Sequence, residues 1–183
     1  MLPDGKLAFS NNSLKAIRVF NLNGTKDFEV NTRTYAFDVA YINHDNTLAV
    51  TSGESDTNCI TIIDIQGKQI KKTIPVDCHH YGIGVTSEGK LICSAAGKGI
   101  QLINLHNSSI TDHIVRDNQI PTCCYVAIFD DKMHQSNTKT STITCYDLQG
   151  TVKWTFKNEK VLRGPCGISV DNGGNVRSRK FIC

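Results

Sequence analysis

The sequence lacks long apolar runs and helical patterning. No apolar run approaches the roughly 18–20 residues that a membrane-spanning helix needs, and no segment of about 12 residues carries apolar side chains at helical spacing. Heptad repeats are absent as well, and the 183 residues include only 4 prolines and 1 tryptophan. We therefore predict neither a membrane partner nor an α-helical or coiled-coil fold.

The chain also lacks the marks of secretion and of metal binding. Its first residues, MLPDGKLAFS, do not combine a basic start with a long apolar stretch, so we expect no secretory signal and a cytoplasmic location. In that reducing compartment we expect thiols at most of the 8 cysteines, including the adjacent Cys123 and Cys124, which could otherwise form a strained disulfide. Cys78, His79 and His80 are also adjacent, but successive side chains of an extended chain point in opposite directions. Because no Cys-x-x-Cys pair occurs, we predict no metal site and no cofactor.

Excess charge is confined to the end of the chain. The formal net charge is +3, and Arg177, Arg179 and Lys180 account for all of it. A neutral body argues against a protein that binds nucleic acid mainly through its phosphates, although a local basic patch remains open. We predict no DNA partner, and only weak RNA binding with a shallow salt dependence. We therefore predict a protein partner, with RNA as the alternative ligand.

What the sequence does contain is a repeat. The phrases IRVFNLNG, ITIIDIQG, IQLINLHN and ITCYDLQG end at residues 24, 67, 107 and 150. A second set of phrases, which includes PDGKLAFS, HDNTLAVTS and SEGKLICS, lies outside the phrases of the first set and recurs at the same interval. A period of about 42 residues with several short strands per repeat is typical of β-propeller blades, which are four-stranded antiparallel sheets.

Each repeat can be divided into short strands separated by Gly, Asn, Asp and Ser. The third repeat, for example, contains YGIGVTS, KLICSAAG, IQLINL and ITDHIV. We predict an all-β fold with 16 strands, distributed as three, then four in each of three blades, then one. The predicted blades cover residues 2–31, 34–77, 78–117, 119–162 and the start of another at 163–176, before a basic, irregular tail at 177–183.

Small and charged residues indicate which strand of each predicted blade lies near the central axis and which lies at the outer edge. The predicted first strands contain small residues, including Ala40, Gly82 and Ala127, as expected where strands crowd around a central axis. The predicted fourth strands are charged, as expected at a solvent-facing edge. Two arrangements remain open: an incomplete propeller forming an open arc, or a closed four-bladed ring in which the strand at 167–170 pairs beside Leu7–Phe9.

The repeats resemble those of a known family. GPCGISVDNGGNV, at 164–176, is similar to the opening of an NHL-type propeller repeat, and the repeated phrase ending in Gly or Asn resembles the third strand of that repeat. The loose loops SGESDTNCI and SNTKTSTI resemble those of the propellers of invertebrate tripartite-motif (TRIM-like, B-box) proteins. Such propellers usually have six blades, so the resemblance implies that this chain is about four blades of a larger propeller. It also implies a target-recognition module of a ubiquitin ligase whose RING is absent here.

We predict that binding takes place at the loops where the second strand of a blade meets the third, and where the fourth meets the next blade. Tyr, His, Arg and polar side chains in these loops form a plausible recognition mixture. The predicted binding residues are Arg33, Tyr35, Glu54, Asp56, His79, His80, Tyr81, Gln119 and Asn137.

Two alternatives to a binding module remain open. One is a calcium-dependent hydrolase similar to lactonase propellers, with Asp38, Asp130, Asp131 and Asp171 as candidate ligands. Asp is also a common turn residue, however, and these four occupy different offsets in the repeat. We therefore predict that the chain is not an enzyme and has no catalytic residues. The other alternative is a truncated fragment without an independent function.

Overall fold

The computed structural model describes residue 2 and residues 4–118 and 120–180. These residues form 17 β-strands and no helix, which confirms the predicted all-β class. Within the described ranges there is accordingly no helix that could cross a membrane. The chain divides after His80 into two compact units.

The first unit contains seven strands in two antiparallel sheets. Their bounds are β1 (Leu7–Asn11), β2 (Ala16–Phe20), β3 (Lys26–Asn31), β4 (Val39–Ile42), β5 (Thr47–Thr51), β6 (Cys59–Asp64) and β7 (Gln69–Pro75). The first three strands form one sheet and the next four form another, each in chain order. This is the connectivity of successive hairpins that the short turns predict.

Apolar side chains of the two sheets of the first unit form one buried cluster. Ile17, Val19 and Val30 of the three-stranded sheet belong to it together with Leu48 and Ile63 of the four-stranded sheet. All five residues of β5 are buried. A strand buried on both faces reads as a continuous apolar run, which is the character of LAV, at 48–50, in this strand.

The second unit begins at Tyr81, one residue into the eighth strand, and contains three sheets. Its strands are β8 (His80–Val85), β9 (Leu91–Ala95), β10 (Gly99–Asn104), β11 (Ser109–Val115), β12 (Val126–Phe129), β13 (Lys132–Asn137), β14 (Thr142–Asp147), β15 (Val152–Lys157), β16 (Pro165–Val170) and β17 (Val176–Lys180). The first eight form two four-stranded sheets and the last two form a hairpin. Ile92 and Ile100 of one sheet and Val126 and Met133 of the next belong to a single buried cluster.

The predicted crowding of first strands is confirmed at Gly82, in the first strand of its sheet. The Gly82 amide donates a hydrogen bond to the Cys124 carbonyl at 2.9 Å. A Cβ atom at Gly82 would overlap the Tyr125 Cα and would lie 2.5 Å from the Val126 amide nitrogen. The two backbones can approach this closely only because residue 82 has no side chain.

The end of the described chain differs from the prediction. The residues from 177 onward were expected to form an irregular tail, but residues 177–180 belong to β17, which pairs with β16 from Pro165↔Lys180 to Val170↔Val176. The closed-ring alternative required the strand at 167–170 to pair beside Leu7–Phe9. In the described residues the partner of β16 is β17, and β1 belongs to a separate three-stranded sheet, so that pairing is not formed.

The last two strands of the first four sheets share an irregularity. Their register shifts at Phe20, Ile63, Ile103 and Tyr146. Each shift lies four residues before the end of a repeated phrase, so the sequence period is also a structural period. The extra residue of the outer strand is charged in three of the four sheets: Asp27, Lys71 and Lys153. Charged, bulged outer strands are what the charge pattern predicts for solvent-facing edges.

Candidate recognition surface

Strand connectivity brings one class of loops to the same end of each unit. In antiparallel sheets joined in chain order, the loop after every second strand emerges at the same end. In the first unit these loops are residues 12–15, 32–38, 52–58 and 76–79, which we call the first loop face. In the second unit they are residues 96–98, 116–118 with 120–125, 138–141 and 158–164, which we call the second loop face.

Hydrogen bonds join the loops of the first loop face. The Thr32 amide donates to the Lys15 carbonyl at 2.8 Å, which ties the β3–β4 loop to the β1–β2 loop. The Gly53 amide donates to the His80 carbonyl at 3.0 Å, which ties the β5–β6 loop to the end of the β7–β8 loop. Thr34 Oγ1 lies 3.6 Å from Cys59 Sγ, at the end of the β5–β6 loop. The loops therefore form one continuous surface instead of four separate projections.

Four predicted binding residues are exposed on this surface. Tyr35 is 37% exposed, and the Lys15 Nζ lies 5.2 Å from the centre of its ring. Arg33 is exposed and has a positive φ of 66°, a conformation supported by the bond from its amide to Asn31 Oδ1 at 2.8 Å. Glu54 and Asp56 are exposed in the neighbouring loop. An aromatic ring, cations and carboxylates thus share one surface of adjoining loops.

The histidine–tyrosine segment does not contribute as predicted. His80 and Tyr81 begin β8 and are 0% and 1% exposed, so their side chains are part of the interior in this structure. His80 Nδ1 lies 2.9 Å from the Cys78 carbonyl oxygen. We expected the loop to continue through Tyr81, whereas β8 begins at His80, so neither side chain lies in an exposed loop. His79 is half-buried, and its Nδ1 has no hydrogen-bond partner among the described residues.

The two remaining predicted residues have different outcomes. Asn137 ends β13 and is half-buried, and its Oδ1 accepts hydrogen bonds from the Lys139 and Thr140 amides at 3.0 and 3.1 Å. Its side-chain oxygen therefore holds the β13–β14 turn together, which is a structural role that we did not predict. Gln119 lies outside the described residues.

The second loop face has a similar construction and contains residues that we did not predict. The Gly97 amide donates to the Ile120 carbonyl at 3.2 Å, and the Gly164 amide donates to Ser141 Oγ at 3.2 Å. A shallow depression of about 530 Å³ lies on this face. Its lining residues are Gly97, Lys98, His113, Arg116, Asp117 and Asn118. The depression could have been predicted from the sequence, because Lys98 and Arg116 lie in the same class of loops as the predicted binding residues.

Two of the four carboxylates considered as calcium ligands accept hydrogen bonds from nearby backbone amides. Asp38 Oδ1 accepts a hydrogen bond from the amide of the next residue, Val39, at 2.9 Å. Asp171 Oδ1 accepts the amides of Gly173 and Asn175 at 3.0 Å each, and hydrogen bonding from Asn175 is the main reason that the pKa of this carboxyl lies below its ordinary value. No three His, Cys, Asp or Glu side chains in the described part of the chain are grouped so that they could hold a metal ion.

Cysteines of the described chain are free thiols, including the adjacent pair. Cys124 is fully buried, and burial raises the pKa of its thiol to about 12. Cys123 is half-buried and adopts a positive φ of 61° at the end of the β11–β12 loop. A buried thiol with so high a pKa behaves as a small apolar side chain and not as a nucleophile.

Comparison with known proteins identifies the fold but no family. No family model matches the sequence, and no curated protein matches it. Among solved structures, a structural genomics protein of unknown function from Bacteroides thetaiotaomicron superposes with a TM-score of 0.79 and 12% identity over 97% of this chain and 50% of that one. Virginiamycin B lyase from Staphylococcus aureus gives 0.70 and 16% identity over 99% and 68%. The WD40 β-propeller domain of Doa1 gives 0.77 and 12% identity over 97% and 58%.

The chain thus spans about half the length of the first of these structures. At identities of 12–16% such likeness carries the fold and not the activity. The tandem four-stranded sheets and the superposition on propeller structures agree with each other. The chain has a β-propeller fold.

Proposed function

We propose that the chain is a non-enzymatic module that binds a protein partner through the first loop face. The observation that supports this proposal is the continuous surface formed by the adjoining loops, on which Tyr35, Arg33, Glu54 and Asp56 are exposed. Aromatic and arginine side chains contribute disproportionately to binding energy at protein interfaces. Mixed charges favour a partner of complementary pattern over a uniformly charged polymer such as RNA.

The resemblance of the repeats to NHL propellers supports a finer proposal. In this proposal the chain is the target-recognition part of a TRIM-like ubiquitin ligase and acts in the cytoplasm. Its role would be to hold the target, while a RING elsewhere in the ligase would transfer ubiquitin.

A retention experiment with matched variants tests the binding proposal. The loop-face double variant Arg33→Glu/Tyr35→Ala removes the exposed cation and ring. The control double variant Lys26→Glu/Leu22→Ala makes the same kinds of change away from the loop face, where Lys26 is exposed and Leu22 is 71% exposed. We expect the immobilised wild-type chain to retain a set of proteins from a cell extract, and the loop-face variant to retain at least about tenfold less of that set.

The control variant should retain the same set as the wild type. Equal retention by the loop-face variant would contradict the proposal. Retention that disappears after ribonuclease treatment would indicate RNA as the ligand instead. A clear rise in thermal stability on calcium titration would contradict the non-enzymatic assignment, because a ligand that binds only the folded state stabilises it.

A further inference from the structure

A pocket of the second unit opens at the end opposite the second loop face. It has a volume of about 520 Å³ and lies between the two four-stranded sheets of this unit, where the β8–β9, β12–β13 and β14–β15 turns border it. Its lining residues all lie between Thr86 and Gln149, so the last hairpin takes no part in it. Pockets of this size are typical of sites that bind small molecules.

Apolar side chains of both sheets form the inner part of the pocket. Ile92 is fully buried in the cluster that joins the two sheets. Leu102, Ile114 and Leu148 pack against this cluster and are half-buried. A Cβ atom at Gly150 would overlap the backbone oxygen of Ile114, so the β14–β15 turn lies directly against β11. This close contact between the sheets fixes the walls of the pocket before any ligand binds.

In the first unit an aromatic side chain fills the same place of the repeat. Val19 and Leu102 have the same position in the repeated phrase, and their cross-strand partners are Phe28 and Asp112. Residues that pair in this way lie on the same face of a sheet. Phe28 is only 7% exposed and belongs to the buried cluster of the first unit, whereas Asp112 is exposed and does not line the pocket. The second unit therefore lacks the ring that covers this place in the first.

The first unit also places an ammonium group beside that ring. Lys68 Nζ lies 5.3 Å from the centre of the Phe28 ring and 3.0 Å from Asp27 Oδ1. The equivalent of Lys68 in the β14–β15 turn is Thr151, because each follows the glycine that ends the repeated phrase. Thr151 is exposed and carries no charge. The pocket of the second unit is therefore without both the ring and the cation that occupy its counterpart.

Charge at the pocket favours a ligand with a positive group. The charged lining residues are Glu88, Lys90 and Asp131. Lys90 Nζ lies 2.7 Å from Glu88 Oε2, so this ammonium group is already paired. Asp131 is exposed, and no ion pair joins it to another residue in the described part of the chain. An unpaired carboxylate beside apolar side chains attracts a ligand that is apolar at one end and cationic at the other.

We propose that this pocket binds a small arylalkylamine, which is a planar apolar ring joined by a short chain to a protonated amine. The ring packs against Leu102, Ile114 and Leu148, in the place that an aromatic side chain fills in the first unit. The ammonium group pairs with Asp131, as the Lys68 ammonium pairs with Asp27. The site is independent of the first loop face, so that either proposal can fail without the other.

Three indole compounds with different terminal groups test the preference for a cation. Tryptamine carries an ammonium group, tryptophol carries a hydroxyl at the same position, and indole-3-propionate carries a carboxylate. Nuclear magnetic resonance spectra of isotope-labelled methyl groups, recorded during titration, measure each Kd. For tryptamine we expect a Kd of about 1 mM or tighter, which is ordinary for a ligand of about 12 non-hydrogen atoms. Tryptophol should bind about threefold more weakly, and indole-3-propionate at least about tenfold more weakly.

The same spectra locate the bound compound. The methyl signals of Leu102, Ile114 and Leu148 should shift on titration, because these side chains line the pocket. Those of Leu22, which is 71% exposed in the first unit, should not shift.

The variant Asp131→Asn tests the proposed ion pair, because it removes the charge and keeps the shape of the side chain. It should weaken tryptamine binding about threefold and leave tryptophol binding unchanged. The fold tolerates Asn at this position: Asn46 also directly precedes the second strand of its sheet, and its φ of 49° is close to the 55° of Asp131. The control Asp45→Asn, at an exposed carboxylate of the first unit, should leave the binding of both compounds unchanged.

A second variant, Asp112→Phe, should fill the pocket from within. It restores to the second unit the aromatic residue that Phe28 supplies in the first, so all three compounds should bind at least about tenfold more weakly. The control Lys26→Phe adds the same ring at an exposed position of the first unit and should leave binding unchanged. Circular dichroism checks that each variant is folded. If Asp112→Phe does not fold, the compound series and Asp131→Asn decide the outcome.

Three results would overturn the proposal. The first is the absence of a shift in the methyl signals of the pocket with tryptamine. The second is an equal Kd for tryptamine and indole-3-propionate, which would show that the pocket does not select a cation. The third is binding of a blocked Phe-Lys peptide at least about tenfold more tightly than tryptamine, because it would assign the pocket to a protein partner.

Discussion

At the scale of single residues, glycine has two separable roles in the repeated turns. Gly24 and Gly150 end the same phrase of the repeat and have φ values of 81° and 84°, which L side chains rarely adopt. A Cβ atom at Gly24 would have no atom within 4 Å, whereas one at Gly150 would overlap the backbone oxygen of Ile114. Gly24 is required only for its backbone conformation, whereas Gly150 is also required because a side chain there would have no room.

Alanine substitution at these two positions should separate the roles. Gly24→Ala should lower the free energy of unfolding by about 1 kcal/mol, which is the cost of a left-handed conformation. Gly150→Ala should lower it by about 1–3 kcal/mol more, because the neighbouring backbone must move. Urea unfolding of the two variants and the wild type measures both values, and equal losses would contradict the close approach to Ile114.

At the scale of strands, burial differs sharply between two strands of the second unit. All five residues of β9 are buried, and the strand bonds to β8 and β10. All six residues of β15 are exposed, and among the described strands it bonds only to β14. We expect the central strand to open only with the unit and the outer strand to open locally.

Hydrogen exchange followed by mass spectrometry measures this difference. Amides of β9 should exchange at least about a hundredfold more slowly than those of β15. The first unit supplies an independent pair, because β5 is fully buried and β7 alternates between exposed and covered positions. Equal protection of β9 and β15 in dilute protein would show that β15 is covered or that the unit opens as a whole.

Strand positions were largely predictable from the sequence, but strand ends and some pairings were not. The repeated phrases specify an apolar strand followed by a turn, and both are local properties. Whether His80 belongs to a loop or to a strand depends on the strand that pairs with it, which no local pattern describes. β17 was missed for a related reason: its Arg and Lys residues do not resemble a strand, yet pairing with β16 orders the backbone.

At the scale of the whole molecule, the thiols divide into two classes. Cys59, Cys93, Cys124 and Cys145 are at most 2% exposed. The other described cysteines, Cys78, Cys123 and Cys166, are half-buried. Only solvent-accessible thiols with an available thiolate react readily with alkylating agents.

Brief alkylation of the native protein with iodoacetamide should therefore label the half-buried class and spare the buried class. Cys124 should be among the slowest, because burial raises its pKa to about 12 and leaves little thiolate at pH 8. Peptide mapping by mass spectrometry identifies the labelled sites, and labelling in urea supplies the control for intrinsic reactivity. Rapid native labelling at Cys93 or Cys124 would contradict the packing described here.

The candidate surface depended on topology more than on residue type. The loop class was predictable because it follows from strand order, and Arg33, Tyr35, Glu54 and Asp56 are exposed in it. His80 and Tyr81 have side chains suited to recognition, but they are buried. The exposure of Trp154 was not predicted, because exposure of an apolar residue depends on what covers its sheet.

The recurring register shift has a consequence for the protein in concentrated solution. Regular sheet rims are templates on which identical chains can stack into fibrils, and a kinked rim with a charged residue at the kink is a poor template. Asp27, Lys71 and Lys153 stand at three such kinks. The same small insertion that recurs with the repeat therefore disfavours fibrous self-assembly along those rims.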